Sequence, residues 1–247
     1  MHQLRHLHLP AVYPARDHAV PRLPPARSSG MNDRLVLFDI DGTLLLSRGA
    51  GRRAILAAMA DLLPVTEALD GVRFDGKTDP QIVRELLAAG GHDGEPEPSA
   101  VAAVLERYVA CLAEQLAQPD HVTDVMPGVG PLLDAVEAES RALLGLLTGN
   151  VVPGATLKLR SAAIAPERFR VGAFGSDHHD RGALPAIAAG RAEPLWGRRP
   201  TGHEIVIIGD TPADMTCGHA VGARAIGVAT GSYAAHELAA AGAYAVF

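Results

Sequence analysis

The chain has 247 residues, of which 48% are hydrophobic and only 4% aromatic, and its formal net charge at pH 7 is −6. This length suits one α/β domain with a modest insertion, and the negative charge argues against a nucleic-acid-binding surface. No apolar run is long enough to span a bilayer. Two cysteines without metal-site spacing are typical of a reduced protein. We therefore expect a cytoplasmic protein with no nucleic-acid or membrane partner.

The first 30 residues differ in composition from the rest of the chain. They are rich in His, Arg and Pro, and they lack the continuous apolar segment of a secretory signal. We expect residues 1–30 to be a disordered N-terminal extension. We interpret Met31, just before the first predicted strand, as the natural start.

The most informative segment is 35–45, LVLFDIDGTLL. Its large apolar side chains predict a strand buried on both faces. Asp39 and Asp41 follow at the carboxyl edge, where open α/β sheets bind ligands. Both carboxylates lie on one face of an extended segment, where a hard divalent cation such as Mg²⁺ relieves their repulsion. Gly42 allows a sharp turn. The alternative is a β-turn in which Asp and Gly serve only geometry.

Residues 49–122 predict an all-helical insertion. Apolar residues recur at helical spacing in three segments, which begin at Arg52, at a capping Thr78 or Asp79, and at a capping Ser99. Because none of this region has the pattern of a strand, we expect 49–122 to be a helical cap. The α/β core then consists of 31–48 and 123–247.

The rest of the core alternates between predicted strands and helices. The strands are 142–147, 169–174, 205–208 and 222–229, with a short last strand at 244–247. Such alternation predicts a parallel, doubly wound, Rossmann-like sheet. Four of the predicted strands end in polar residues, which therefore meet at the same edge.

Three motifs in this order resemble those of the haloacid dehalogenase (HAD) superfamily of phosphohydrolases. They are the strand with Asp39-x-Asp41-Gly42-Thr43, a strand ending in Thr148, and Gly209-Asp210-x-x-x-Asp214 after a strand. The resemblance covers residues 34 to about 245. It implies an enzyme similar to the phosphoglycolate phosphatase branch, with a helical cap that closes over the substrate.

The resemblance also implies catalytic roles for the acids. Asp39 would attack phosphorus and form an aspartyl-phosphate. Asp41 would act first as general acid and then as general base, and its backbone carbonyl would ligate Mg²⁺. Asp39 and Asp210 would be further ligands. Asp214 would either ligate the metal or hold the other metal ligands in place. The alternative for Asp214 is a helix-capping or surface acid.

The same resemblance implies a phosphate-binding region. It would consist of the Thr148 hydroxyl and the neighbouring backbone groups of Gly42, Thr43, Gly149 and Asn150. For Thr148 the alternative is a helix N-cap. In the cap, we expect the loop from Arg73 to Asp79 to reach the site, with Arg73 and Lys77 able to meet an anionic substrate. A solvated basic loop is the alternative there.

In this superfamily a lysine, sometimes an arginine, steadies the nucleophile and the phosphate and usually stands just after the third strand. Here residues 176–181 are SDHHDR, so no lysine follows that strand. Arg181 fits this place by topology. Lys158 is the alternative, although a rise of ~1.5 Å per residue along its helix carries it away from the strand edge. We expect one of the two to supply the cation and the other to be an ordinary surface or ion-paired side chain.

The presence of Asp41 favours a phosphomonoesterase, because dehalogenases and phosphonate-cleaving members lack an acid there. We therefore predict a Mg²⁺-dependent phosphatase of a small phosphorylated metabolite. A sugar-phosphate mutase is the first alternative. A non-catalytic phosphate-binding relative is the second, and the intact acids argue against it. A nucleotide-binding Rossmann protein is disfavoured because no Gly-x-Gly-x-x-Gly follows the first strand. The sequence leaves the oligomeric state open.

Overall fold

The structure is a computed structural model in which residues 33–62, 69 and 71–247 are described. The predicted extension 1–30 and Met31 lie outside the described residues. None of the helices in the described part is long and apolar enough to cross a membrane. Cys111 and Cys217 are free thiols.

The described chain contains strands and helices in the expected alternation. The strands are β1 (Arg34–Phe38), β2 (Leu45–Leu46), β3 (Asp124–Val125), β4 (Ala142–Thr148), β5 (Val171–Phe174), β6 (Ile205–Gly209), β7 (Arg224–Gly227) and β8 (Ala245–Val246). The helices are α1 (Ala50–Met59), α2 (Asp79–Ala89), α3 (Pro98–Leu116), α4 (Val129–Ala138), α5 (Val152–Ser161), α6 (Leu184–Trp196), α7 (Pro212–Cys217) and α8 (Ala235–Ala240).

Six strands form one parallel sheet in the order β5-β4-β1-β6-β7-β8. This confirms the predicted doubly wound α/β fold. β1 lies in the middle because its side chains are buried on both faces: Leu35 and Leu37 pack with α6, whereas Val36 and Phe38 pack with α4 and α5. The neighbours β4 and β6 align their carboxyl ends with that of β1, so the residues after all three strands meet.

The described residues of 49–122 contain three helices and no strand. α1, α2 and α3 share their own apolar cluster, which includes Ile55, Leu86 and Leu112. We call this part the cap and the remaining described residues the core. Thr78 is the N-cap of α2, where its side chain accepts from the backbone N–H of Gln81 at 3.2 Å.

Two details of the cap differ from the sequence prediction. α1 begins at Ala50 rather than Arg52. The prediction that Ser99 caps the next helix is wrong, since α3 begins at Pro98 and Glu97 is its N-cap. Proline at the first helical position is pre-organised for the helix and has no N–H to leave unpaired, which moves the start by two residues.

A two-stranded antiparallel ribbon joins the core to the cap. β2 precedes the cap and β3 follows it, and the two pair with each other. Arg48 bonds both carboxylate oxygens of Asp124 across this ribbon, at 2.6 and 2.9 Å. Arg48 and Gly49 both have left-handed backbone, with φ of 47° and 77°, so the chain turns sharply where it enters α1.

Candidate active site

Three buried acids meet at the carboxyl edge of the sheet. Asp39 follows β1, and Asp210 and Asp214 follow β6. Oxygens of their three carboxyl groups lie within 4.8 Å of one another. The cause is the strand register: Phe38 is paired with Ile208, and the N–H of Asp39 donates to the carbonyl of Ile208 at 2.9 Å.

Burial and mutual repulsion make this cluster a candidate metal site. Burial raises the pKa of Asp210 to about 8, and the charges of Asp39 and Asp214 add to the shift. Burial likewise raises the pKa of Asp39 to about 6, against the opposing charge of Arg181. Carboxylate oxygens are the ligands that hard divalent cations prefer, and such a cation would lower both values. The donor set therefore fits a divalent metal.

Asp210 is fixed by small residues around it. Thr43 Oγ1 donates to Asp210 Oδ1 at 3.0 Å. A Cβ atom would lie 2.3 Å from Asp210 Oδ2 if added to Gly42 and 1.8 Å if added to Gly231. Gly42 and Thr43, which the resemblance placed on the substrate, thus hold the Asp210 carboxyl in this structure. Sequence reasoning missed Gly231, although it follows β7 at the same edge of the sheet.

Asp214 is completely buried and holds its surroundings together. It accepts from the backbone N–H of Thr211 at 3.1 Å and from the Thr211 hydroxyl at 2.7 Å. The N–H of Asp214 donates back to the Thr211 hydroxyl oxygen at 3.3 Å, which completes a capping box at the start of α7. Its other oxygen accepts from Arg181 Nη2. The helix-capping alternative therefore describes one part of its contacts, and the surface-acid alternative is wrong.

Arg181 brings a buried positive charge to Asp39. Its Nη2 lies 3.3 Å from Asp39 Oδ1 and also contacts Asp214. Burial opposes the charged form, but the two carboxylates outweigh burial and raise the pKa of Arg181 above its ordinary value. Its Nε has no hydrogen-bond partner among the described residues.

Lys158 brings a second buried cation to the site. Its ammonium donates to Asp41 Oδ2 at 2.6 Å and to Asn150 Oδ1 at 2.7 Å. Arg181, which topology favoured as the cation, lies beside Asp39, and Lys158 is ion-paired with Asp41, so both side chains lie in the site. The reason is that helical side chains point back toward the N-terminus, so the long stem of Lys158 recovers the distance gained along α5.

Asp41 is held apart from the three clustered acids. Its carboxylate accepts from Asn150 Nδ2 at 2.8 Å and from Lys158, and the side chain is 41% exposed. The expectation from the sequence that the carboxylates of Asp39 and Asp41 face one cation is not realised, since Lys158 neutralises Asp41 instead. A role for the Asp41 carbonyl as metal ligand stays a prediction.

Thr148 is fully buried at the end of β4. Its hydroxyl oxygen accepts from the side chain and the backbone N–H of Asn150, at 2.8 and 3.3 Å. The helix N-cap alternative for Thr148 is wrong, because the N-cap of α5 is Val151. Thr148 therefore fixes Asn150, which in turn holds Asp41.

The cap loop before α2 reaches the site through its backbone. The N–H of Asp79 donates to the carbonyl of Gly149 at 2.8 Å, and the Thr78 hydroxyl donates to the carbonyl of His179 at 2.6 Å. The carbonyl of Lys77 packs against Gly149 so closely that a Cβ there would lie 2.0 Å away. Asp79 ends the loop 73–79 that the sequence predicted to reach the site, but its bond to this turn was not predicted.

The two basic side chains of this loop point elsewhere. The ammonium of Lys77 pairs with Glu85 of α2. The side chain of Arg73 is 66% exposed, and its guanidinium lies 5.4 Å from the centre of the Tyr233 ring. Neither side chain is thus brought to the acids in this structure. A cavity of about 500 Å³ lies beside the loop, and Lys77, Arg181 and Tyr233 are among its lining residues.

Comparison with known proteins identifies the class of fold. Residues 183–246 match a family model described as HAD-hydrolase-like. CbbY from Rhodobacter sphaeroides, solved in complex with phosphate, is 20% identical, with a TM-score of 0.66 over 87% of this chain and 94% of that chain. A Haemophilus somnus protein assigned as a phosphoglycolate phosphatase is also 20% identical, with a TM-score of 0.63 over 88% and 95%. No curated protein sequence matches the chain.

A third solved structure represents the other activity considered above. It is a Thermotoga maritima protein assigned as a β-phosphoglucomutase, which is 21% identical with a TM-score of 0.55 over 87% of this chain and 94% of that chain. The described fold is therefore similar to that of these structures, and residues 183–246 match the HAD-hydrolase-like family model. This confirms the resemblance that the three motifs indicated.

Proposed function

We propose that this protein is a Mg²⁺-dependent phosphomonoesterase that acts on a small phosphorylated metabolite through an aspartyl-phosphate on Asp39. The observation that carries the proposal is the buried cluster of Asp39, Asp210 and Asp214, with Arg181 beside it. Three acids and one arginine leave a negative site that suits a divalent cation together with a phosphoryl group. The phosphatase and phosphate-bound neighbours of similar fold support the same chemistry.

The first step transfers the phosphoryl group to the protein. A carboxylate oxygen of Asp39 attacks phosphorus while the bond from phosphorus to the leaving alcohol breaks. Asn150 and Lys158 both donate to Asp41 Oδ2, which leaves the other carboxyl oxygen to carry the proton that Asp41 gives to the leaving oxygen. Arg181 balances part of the charge on Asp39 and on the phosphoryl oxygens.

The second step releases phosphate. Asp41, now ionised, takes a proton from a water molecule that attacks the phosphorus of the aspartyl-phosphate, which restores the Asp39 carboxylate. The 41% exposure of the Asp41 side chain gives water access to this base. When bound to Asp39 and Asp210, the metal would neutralise the acids and the phosphoryl oxygens.

A sugar-phosphate mutase is the second candidate. One observation favours it: the cap loop is bonded directly to the turn after β4, and such closure excludes water from a phosphoenzyme. The neighbour assigned as a β-phosphoglucomutase has the same fold. A mutase would turn over only with a bisphosphate or another phosphoryl donor, whereas a phosphatase releases inorganic phosphate from a monophosphate alone.

The proposal is tested by phosphate release from p-nitrophenyl phosphate and from a panel of phosphorylated metabolites. We expect hydrolysis with Mg²⁺, loss on addition of EDTA, and recovery when excess Mg²⁺ is restored. Asp39→Asn should abolish turnover, by roughly 10³-fold or more as for other nucleophiles, without loss of the fold. Full activity of Asp39→Asn, or indifference to EDTA and Mg²⁺, would contradict the mechanism.

A further inference from the structure

The turn between β4 and α5 is bonded from two sides. On the core side, Asn150 donates to the carboxylate of Asp41 at 2.8 Å. On the cap side, the N–H of Asp79 donates to the carbonyl of Gly149 at 2.8 Å, and Asp79 Oδ2 accepts from the N–H of Val151 at 2.8 Å. One cap residue thus bonds the backbone on both sides of the residue that holds Asp41.

The environment of Asp79 indicates that these bonds matter. Asp79 is buried, with 6% of its surface exposed, and its carboxyl takes its hydrogen bond from the core rather than from its own helix. Burial raises the pKa of this carboxyl to about 7, although the charge of Lys158 opposes the shift. Burying an acid costs free energy unless the acid is hydrogen-bonded. The bond from Val151 offsets this cost only while the cap is docked on the core.

The same polar group includes Lys158. Its ammonium bonds Asp41 and Asn150, and it is covered from the cap by Gly51, where an added Cβ would lie 3.2 Å from Lys158 Nζ. Docking of the cap therefore encloses both donors to Asp41. Undocking would release the backbone around Asn150 and expose Lys158 to water.

We propose that Asp79 is a positioning residue that couples docking of the cap to the orientation of Asp41. Its two hydrogen bonds fix the turn around Asn150, and Asn150 and Lys158 then fix the Asp41 carboxyl for proton transfer. This inference rests on the proposed phosphatase function. It assigns Asp79 no contact with the phosphoryl group.

The test compares two substrates with different demands on Asp41. p-Nitrophenyl phosphate has a leaving group that needs little protonation, whereas glycerol phosphate requires a proton on its leaving alcohol. We expect Asp79→Ala to lower kcat for glycerol phosphate by roughly ten- to a hundredfold, as part of the 10²–10⁴-fold that a positioned acid contributes. Its kcat for p-nitrophenyl phosphate should change by less than about threefold. Asp79→Asn should keep most activity on both substrates, because an amide oxygen can still accept from Val151.

Thr78→Val is the matched control. It removes another hydrogen bond between the cap loop and the core, since the Thr78 hydroxyl donates to the carbonyl of His179. Its side chain does not bond the turn around Asn150, so any loss should be equal for the two substrates. Equal losses on both substrates in Asp79→Ala, or the same selectivity in Thr78→Val, would overturn the proposal.

A second measurement does not depend on turnover. Amide hydrogen exchange of the segment 148–152 should be faster in Asp79→Ala than in the wild type, and unchanged in Thr78→Val. Unchanged exchange in Asp79→Ala would overturn the proposed coupling. If the wild type hydrolyses neither phosphate, the proposed function fails, and the exchange result still decides whether Asp79 fixes this turn.

Discussion

Replacing Gly149 by alanine should separate cap docking from the stability of the core. The added Cβ would lie 2.0 Å from the carbonyl oxygen of Lys77 and 2.9 Å from the Cα of Thr78. Both contacts are backbone atoms of the cap, so the strain falls on the interface and not on β4 or α5. The loop must retreat by more than 1 Å to regain an ordinary contact of about 3.4 Å.

The magnitude follows from the bonds that this retreat breaks. Three hydrogen bonds hold the loop on the core: Asp79 donates to Gly149, Val151 donates to Asp79, and Thr78 donates to His179. At about 1 kcal/mol each, these bonds contribute roughly 3 kcal/mol. Because 1.4 kcal/mol is a factor of about ten, loss of all three should lower the equilibrium constant for docking by roughly 100-fold.

The assay is kcat/KM for phosphomonoester hydrolysis, together with the thermal midpoint. We expect kcat/KM of Gly149→Ala to fall by roughly 100-fold, since a misplacement of about 1 Å is enough for such a loss. The thermal midpoint should stay within a few degrees. Gly130→Ala is the control, because a Cβ at this helical glycine of the core would contact nothing within 4 Å. Equal activity of the two variants would refute the reasoning.

Three further predictions concern single groups of the site. Gly231→Ala should displace the Asp210 carboxyl, since the new Cβ would lie 1.8 Å from Oδ2. The Mg²⁺ concentration for half-maximal activity should then rise by about 10–100-fold, and an unchanged Mg²⁺ titration would contradict this. Lys158→Met should lower turnover of alkyl phosphates by about 10²-fold and of p-nitrophenyl phosphate much less, because Asp41 loses a donor; equal losses would count against it. For Asp79, burial raises the pKa to about 7 in the folded state, so the folded protein binds more protons than the unfolded chain between about pH 4 and pH 7, and stability falls as pH rises through this range. Asp79→Asn should therefore unfold at higher denaturant concentration than the wild type at pH 8 and not at pH 4, and a pH-independent difference would exclude this cause.

The sheet and the acid cluster could be predicted because their signals are local. The apolar run of β1 and the acids directly after it define both a buried strand and its edge. The same pattern recurs at Thr148 and at Asp210, and parallel strands bring such ends together. The convergence of Asp39 and Asp210 therefore follows from short segments, even though 170 residues separate them.

The cap interface could not be predicted in the same way. The sequence placed Asp79 at the end of a loop expected to reach the site and at the start of a helix, but nothing near it indicates a bond to Val151 in another part of the chain. The sequence left the place of Lys158 open for a related reason. Counting helical rise locates the Cα of Lys158 but not its ammonium, which reaches Asp41 only because the side chain runs back along α5.

The ribbon of β2 and β3 determines how the cap can move. Both chain crossings between core and cap run side by side in one ladder, and the Arg48–Asp124 pair ties them together. We expect this antiparallel pair to let the cap rotate about one axis and to resist rotation about others. We expect a cap attached in this way to dock at one position on the core, where Asp79 bonds the turn around Asn150.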